Sequence, residues 1–210
     1  TKKPMCIKLI SNTIANTHEN NMLKKLMKHT GENPGQYNIV KYFGQEVRQH
    51  SICLKFEFVH PNTSFKMDLN NITYPQVVTY MRQLLIALDS LHNKYGITHS
   101  DIKPENFVHH FQTNTFRLID FGSAVYSDNN VSSVDAGTRG FKAPELLQQS
   151  HGKKDRSVKR QPCIDIWSAG IILMSLLTGK KDILSRNKGM ATIDCNKKHF
   201  DEIGNIVGKQ

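Results

Sequence analysis

The spacing of apolar residues changes along the chain, and this change divides it into two parts. Short apolar runs predict strands at MCIKLI, YNIVKYFG and SICLKFEFV, all within the first 60 residues, with a polar turn between the last two. A helix ending near Gly31 is predicted after the first run, because one helical face carries Glu19, Leu23, Leu26 and Met27. From residue 73 onward the spacing is mainly that of helices.

The clearest helix is predicted over residues 73–96. Thr73 and Gln76 have the spacing of a capping box, and Pro75 lies just inside the start. Its apolar stripe is Val78, Met81, Leu84, Leu85, Leu88 and Leu91. Residues 163–180 are apolar on nearly every side, which predicts a buried helix.

The remaining segments are shorter. TFRLIDFG predicts one strand ending in a polar turn, residues 123–140 predict a loop, and residues 198–207 predict a weak helix. The order of elements indicates an α+β arrangement of two unequal lobes. We place the small strand-rich lobe and its hinge at residues 1–60 and the mainly helical lobe at residues 61–210, together forming one domain.

Composition narrows the class of protein. The 210 residues are 38% hydrophobic, which is enough for a sizeable core, and no apolar run approaches the ~18 residues of a membrane span. The four cysteines lie far apart without a C-x-x-C pair, so we expect neither a disulfide framework nor a zinc site. A formal charge of +10 favours anionic partners such as phosphates, nucleic acids or acidic proteins.

Candidate chemistry begins at ITHSDIKPENFV, residues 97–108. Phosphoryl transfer to a hydroxyl requires a carboxylate that orients the hydroxyl, cations that neutralise the phosphates, and oxygen ligands for a metal. Asp101 suits the first requirement and Lys103 the second. Asn106 and Asp120, the latter in IDFGSA, suit the third. Taken singly, each remains open to a simpler interpretation, and Asp120 alone could be an ordinary strand-end turn.

The joint pattern is far more specific than its parts. H-x-D-x-K-x-x-N at 99–106 precedes D-F-G by fourteen residues from Asn106, and GTRGFKAPE at 137–145 and DIWSAG at 165–170 follow. Together these motifs resemble the catalytic domain of eukaryotic protein kinases. The resemblance implies a bilobal kinase fold that uses ATP and Mg²⁺, with Asp101 as catalytic base.

The resemblance also assigns roles around the nucleotide. MCIK resembles the V-A-I-K strand, so Lys8 would hold phosphates and pair with Glu19, although both could instead be solvated surface residues. Phe56 would be the gatekeeper, the backbone of Glu57 and Val59 would bond adenine, and Val108 would pack beneath the ring.

Further roles follow from the same resemblance. Asn106 and Asp120 would bind the metal, and Thr138 would bond Asp101 and Lys103, as in serine/threonine kinases. A stacked spine anchored by Asp165 would comprise Leu23, Tyr42, His99 and Phe121.

Within the superfamily, GTRGFKAPELL and IDIWSAGIILMSLLTGK are most similar to the cell division control protein 7 family, which activates replication origins. That resemblance implies a nuclear or cytoplasmic serine/threonine kinase of the cell cycle with an activator subunit. It also implies substrates with acidic residues near the phosphoacceptor, such as replicative helicase subunits. Arg139 and Lys142 lie where such residues would dock, unless both are simply solvated loop charges.

Two departures from the kinase pattern matter. Ser100 replaces the usual Arg, so we expect activity that does not depend on loop phosphorylation through this residue. No glycine loop precedes Lys8, and the C-terminal helices are not evident, which indicates a fragment or a reduced kinase. The alternative is a pseudokinase scaffold that binds a partner without phosphoryl transfer.

A third interpretation is binding of nucleic acid through the basic cluster GKKDRSVKR at 152–160. The cluster has no interleaved aromatic residues on which bases could stack. We therefore expect no direct nucleic-acid binding and interpret the run as a solvated loop or a nuclear localisation signal.

Overall fold

The computed structural model describes residues 4–11, 17–30, 34–48, 51–59, 71–127, 130–131, 137–149, 158–159, 161–180 and 183–184. The weak helix predicted at 198–207 lies outside these residues, as does the basic cluster except for residues 158–159.

The strand-rich part is a three-stranded antiparallel sheet covered by one helix. Strands β1 (Met5–Ser11), β2 (Tyr42–Arg48) and β3 (Ser51–Glu57) pair in the order β1-β3-β2. Helix α1 (Thr17–Thr30) packs on this sheet through Leu23 and Leu26, which are fully buried as their helical spacing predicts. Alternate residues of β1 are partly buried, so Lys8 faces the interior side of the sheet.

The second strand begins five residues later than its apolar run predicted. Pro34–Tyr37 form a 3₁₀ turn, and Asn38 adopts a left-handed conformation with φ of 56°. The Asn38 Nδ2 group donates to Gln83 Oε1 at 2.9 Å and to the Phe116 carbonyl at 3.0 Å. These tertiary hydrogen bonds override the strand propensity of the run and tie the sheet to the helical part.

The helical part is built on two long helices. Helix α2 (Tyr74–Asp89) begins where Thr73 N–H donates to Gln76 Oε1 at 2.8 Å, and it continues as a π-helical turn, Ser90–Lys94. Four short strands follow: β4 (Ile97–Thr98), β5 (Phe107–His110), β6 (Thr115–Leu118) and β7 (Val125–Tyr126). Then come β8 (Asn130–Val131), α3 (Pro144–Gln149), β9 (Val158–Lys159) and α4 (Cys163–Thr178).

Three details of the sequence prediction were wrong. The predicted loop at 123–140 contains β7, which pairs with β4, and β8, which pairs with β9. The predicted stripe of α2 is rotated, because Val77 and Tyr80 are buried whereas Val78 and Leu85 are 45% and 46% exposed. Helix α4 is not buried on every side, since Ile166 and Leu177 are largely exposed.

The fold class is nevertheless confirmed as α+β, with a small strand-rich part followed by a helical part. Helices α2 and α4 pack against each other, and one continuous apolar core joins them to α1 and the sheet. In the described part of the chain, no helix is both long and apolar enough to cross a membrane.

The rotated stripe of α2 gives a direct stability test. Leu84 is fully buried, and we expect Leu84→Ala to lower the free energy of unfolding by about 2–5 kcal/mol. The control is Leu85→Ala on the next residue, which is 46% exposed and should change it by less than about 0.5 kcal/mol. Urea denaturation measures both, and equal losses would contradict the observed orientation of the helix.

Candidate active site

A cavity of about 340 Å³ lies at the junction between the sheet and the helical part. Its apolar walls come from both parts, and several polar side chains open onto one end. The lining residues are Cys6, Ile7, Lys8, Glu19, Val40, Phe56, Val59, Glu105, Asn106, Val108, Ile119 and Asp120. This combination of apolar walls with a few convergent polar groups is typical of small-molecule sites.

Lys8 joins three elements of the site. Its Nζ lies 2.9 and 2.8 Å from the two carboxylate oxygens of Glu19 on α1, and 2.8 Å from Asp120 Oδ1. Burial alone would lower the pKa of Lys8, but the two carboxylates outweigh it and raise that pKa. Burial would likewise raise the pKa of Asp120, yet Lys8 and the Gly122 N–H hold it below its usual value. Lys8 and Asp120 are therefore both charged near neutral pH.

Asp101 is held on both of its carboxylate oxygens. Thr138 Oγ1 donates to Oδ1 at 2.7 Å, while Lys103 Nζ donates to Oδ2 at 2.8 Å and to Thr138 Oγ1 at 2.8 Å. Asn106 Nδ2 donates to the Asp101 carbonyl at 2.9 Å and to Oδ2 at 3.1 Å. Both contacts expected of Thr138 are thus present. Because the Asn106 amide nitrogen faces Asp101, its amide oxygen is left for another partner.

The backbone before Asp101 is fixed by a buried carboxylate. Asp165 on α4, 1% exposed, accepts the N–H groups of His99 and Ser100, each at 2.8 Å. His92 Nε2 donates to the same carboxylate at 2.8 Å. Ser100 has a φ of 68°, a strained conformation for a residue other than glycine. Asp165 therefore stabilises the turn that presents Asp101.

The predicted stack of side chains is assembled behind the cavity. The rings of His99 and Phe121 are 5.1 Å apart, and His99 Nε2 donates to the Ile119 carbonyl at 3.0 Å, next to Asp120. Leu23 and Tyr42 are buried in the same core. Tyr42 donates to Asn20 Oδ1 at 2.5 Å, and burial with the nearby charge of Glu19 raises the pKa of Tyr42 to about 12.

The hinge residues differ in how they face the cavity. Phe56, Val59 and Val108 line it, as the resemblance implies. Glu57 is not among the lining residues, and its N–H already donates to the Lys41 carbonyl at 2.9 Å. The Glu57 N–H is therefore not available for the predicted contact with adenine.

The side chains present fit a nucleotide with a divalent cation. The apolar walls suit a flat ring, and the Lys8 ammonium suits phosphate oxygens. Asp120 and the amide oxygen of Asn106 are hard oxygen ligands of the kind that Mg²⁺ prefers. Among the described residues, no cluster of three or more His, Cys, Asp or Glu side chains could hold a metal ion.

Sequence reasoning missed several residues that shape the site. His92 was interpreted only as part of a helix. Its position shortly before the turn at Gly96 was a signal in the sequence that could have indicated its role. Gly137 has φ of +87°, and a Cβ there would lie 2.9 Å from the Ser100 carbonyl oxygen. Arg117 carried no local signal, because its partner Glu57 lies sixty residues away.

Comparison with known proteins places the chain in a family. The protein kinase domain model matches residues 1–207, so the chain belongs to the protein kinase domain family. It is 32% identical over 144 residues to an Aurora kinase from Yarrowia lipolytica, covering 68% of this chain and 36% of that protein. It is also similar to a calcium/calmodulin-dependent protein kinase type 1 from Caenorhabditis elegans, with 31% identity over 147 residues covering 68% and 39%.

A relative from the expected subfamily is also found. The chain is 28% identical over 182 residues to a probable cell division control protein 7 homolog 2 from Encephalitozoon cuniculi, covering 69% of this chain and 49% of that protein. The chain thus spans less than half the length of each of these three relatives. The comparisons bear out the kinase superfamily, and the likeness to the cell division control protein 7 family is one of low identity.

The close approach of Gly137 to Ser100 predicts that position 137 does not tolerate a residue with a Cβ atom. We expect Gly137→Ala to destabilise the protein by about 1–3 kcal/mol, because of the positive φ and the clash with the Ser100 carbonyl. Gly170→Ala is the matched control, since nothing lies within 4 Å of its added Cβ and alanine favours the helix by up to about 1 kcal/mol.

Urea denaturation and hydrogen exchange over residues 137–149 measure the two glycine variants. If both variants unfold with the same free energy and show the same exchange, the described packing of Gly137 is wrong.

Proposed function

We propose that the chain is the catalytic part of a serine/threonine protein kinase, which transfers the γ-phosphate of ATP to a protein hydroxyl. The observation that supports this most is the carboxylate of Asp101, which is oriented by Thr138, Lys103 and Asn106. These three donors hold the carboxylate in one orientation, from which it can accept a proton from a substrate hydroxyl.

Each polar group of the site then has a task. The nucleotide with its metal would supply the phosphoryl group and neutralise its charge, held by Lys8, Asp120 and Asn106. Asp101 orients the substrate hydroxyl and accepts its proton. Lys103 places a positive charge beside Asp101, where negative charge develops during transfer. Glu19 holds Lys8 in place.

Several features support serine or threonine as acceptor and acidic neighbours around it. Thr138 links Asp101 and Lys103 to the segment 137–149, and the cavity beneath this segment is small. Arg139 and Lys142 lie beside Thr138 in that segment, and the chain carries a formal charge of +10. Two cations at this place would favour an acidic or phosphorylated residue next to the acceptor.

The cellular role that we propose is initiation of DNA replication, in the nucleus and with an activator subunit. The support is the 28% identity to a probable cell division control protein 7 homolog, together with the motifs GTRGFKAPELL and IDIWSAGIILMSLLTGK. Subunits of the replicative helicase are the proposed substrates, since acidic stretches would suit Arg139 and Lys142.

The function is tested by phosphate transfer from ATP with Mg²⁺ to a Ser-Glu peptide, using the gene extended in both directions if flanking sequence exists. We expect Asp101→Asn to lower the rate by about 10²–10⁴-fold, because the proton acceptor is lost. Asp89→Asn is the matched control, since Asp89 lies at the end of α2 and outside the cavity.

The substrate preference is measured in the same assay with a Ser-Lys and a Tyr-Glu peptide, both of which should react more slowly. Equal rates for the unsubstituted protein and Asp101→Asn, without nucleotide binding, would instead support a partner-binding scaffold.

Ser100 gives a further prediction, which concerns regulation. Ser100 is 5% exposed and at positive φ, so an arginine there would be buried and strained. We expect Ser100→Arg to lower the transfer rate or leave it unchanged, and treatment of the unsubstituted protein with a phosphatase to leave the rate unchanged. Activation by the substitution, or loss of activity after phosphatase treatment, would contradict the proposed independence from loop phosphorylation.

A further inference from the structure

A closed ring of polar contacts lies behind the hinge, formed by side chains that do not line the nucleotide cavity. Its centre is Glu57, the last residue of β3, whose side chain is only 17% exposed. Glu57 Oε1 accepts the Lys41 N–H at 2.8 Å and Arg117 Nε at 3.3 Å, and Oε2 lies 3.4 Å from His110 Nε2. The hinge is thereby attached to the β5–β6 hairpin of the helical part.

The residues that contact the Glu57 side chain are themselves held by further hydrogen bonds within the hairpin. Arg117 donates to Thr115 Oγ1 at 2.6 Å, to Thr113 Oγ1 at 3.2 Å and to the Phe116 carbonyl at 3.0 Å. His110 Nδ1 lies 2.8 Å from Thr113 Oγ1, which closes the ring. The side chains of Arg117 and His110 are 6% and 7% exposed. The charged members of this network are buried and each has several polar partners, which restricts their movement.

The charges within the ring are matched. Burial lowers the pKa of His110, and burial also lowers the pKa of Arg117 without depriving that guanidinium of its charge near neutral pH. Glu57 and Arg117 form an ion pair at 3.3 Å, and the His110 ring lies between the Glu57 carboxylate and the Thr113 hydroxyl. Removing either charged partner leaves the other buried without its counter-charge.

The register of the hairpin places this ring directly beside the nucleotide cavity. Arg117 is the cross-strand partner of Val108, so both side chains lie on one face of the hairpin, and His110 follows two residues later on the same face. Val108 lines the cavity, and β6 leads into Asp120 three residues after Arg117. The hairpin thus carries Val108, which lines the cavity, and it leads into Asp120. It also carries Arg117 and His110, whose contacts with Glu57 we call the hinge clamp.

We propose that Arg117 and His110 are positioning residues for nucleotide binding, which hold the hinge through the Glu57 carboxylate at a fixed height above Val108. Neither residue lines the cavity, so their effect on the nucleotide passes through the hinge backbone. This inference rests on the proposed function, because it concerns the nucleotide cavity of that function. It predicts that breaking the ring weakens nucleotide binding in a protein that remains folded.

The test is a double-mutant cycle on the Kd of Mg·ATP, measured by isothermal titration calorimetry. We expect Glu57→Gln and Arg117→Met each to raise the Kd about tenfold. The Kd of the double variant should be no higher than that of the single variant that binds more weakly. Matched controls are Glu46→Gln on β2 and Arg82→Met on α2, both outside the ring and the cavity, which should leave the Kd unchanged. Thermal unfolding of every variant shows which ones are folded.

A gentler variant covers the case in which Arg117→Met does not fold. His110→Phe keeps an aromatic ring, removes the ring nitrogens and leaves the Glu57–Arg117 pair intact, so we expect a smaller, several-fold increase in the Kd of Mg·ATP. In a kinase assay the same variants should raise the KM for ATP and leave the KM for the peptide unchanged. A purely structural role would lower the unfolding temperature without changing the Kd of the folded protein.

The outcomes separate this inference from the proposed function. If the unsubstituted protein binds no Mg·ATP, the proposed function fails and the inference fails with it. If the unsubstituted protein binds Mg·ATP and the folded ring variants bind it equally well, the clamp alone is overturned. Effects of Glu57→Gln and Arg117→Met that simply add in the double variant would also overturn it, because the two residues would then act separately.

Discussion

The geometry of the site depends most on one buried carboxylate, that of Asp165. It accepts two backbone N–H groups and one imidazole N–H, and it does so from within the most apolar helix of the chain. A buried carboxylate is costly unless its oxygens are hydrogen-bonded, so Asp165 and the turn at Ser100 stabilise each other. The apolar core thus determines where Asp101 lies, although the Asp101 side chain itself is partly exposed.

The two parts of the molecule meet through contacts of very different character. On the open side of the cavity, the Lys8 ammonium joins the sheet and α1 to Asp120, and these groups are partly exposed. Behind the cavity, Asn38 and Glu57 join the sheet to the helical part through buried hydrogen bonds. The front contacts are accessible to a ligand, whereas the rear contacts are structural. This arrangement leaves one side of the junction free to bind while the other holds the parts together.

Residues that belong to short motifs could be predicted from the sequence, and residues that act through long-range contacts could not. Asp101, Lys103, Asn106 and Asp120 occupy fixed offsets, and the contacts of Thr138 and Glu19 followed from the family resemblance. Asn38 delays the start of the predicted strand through its partners Gln83 and Phe116, which no local pattern reveals. Likewise, the choice between Val78 and Val77 for the buried face of α2 depends on where α4 packs.

The shared ammonium of Lys8 has a consequence for selectivity. Lys8 brings one positive charge against the two negative charges of Glu19 and Asp120, so this cluster is formally an anion. An anion attracts cations and repels a bare polyphosphate. A cation at Asp120 would release Lys8 from that contact and reverse the local sign of charge. By linkage, the cation and the polyphosphate must then improve each other's binding to the same degree. With this balance of charge, the cluster would favour a polyphosphate that arrives with its metal over a metal-free one.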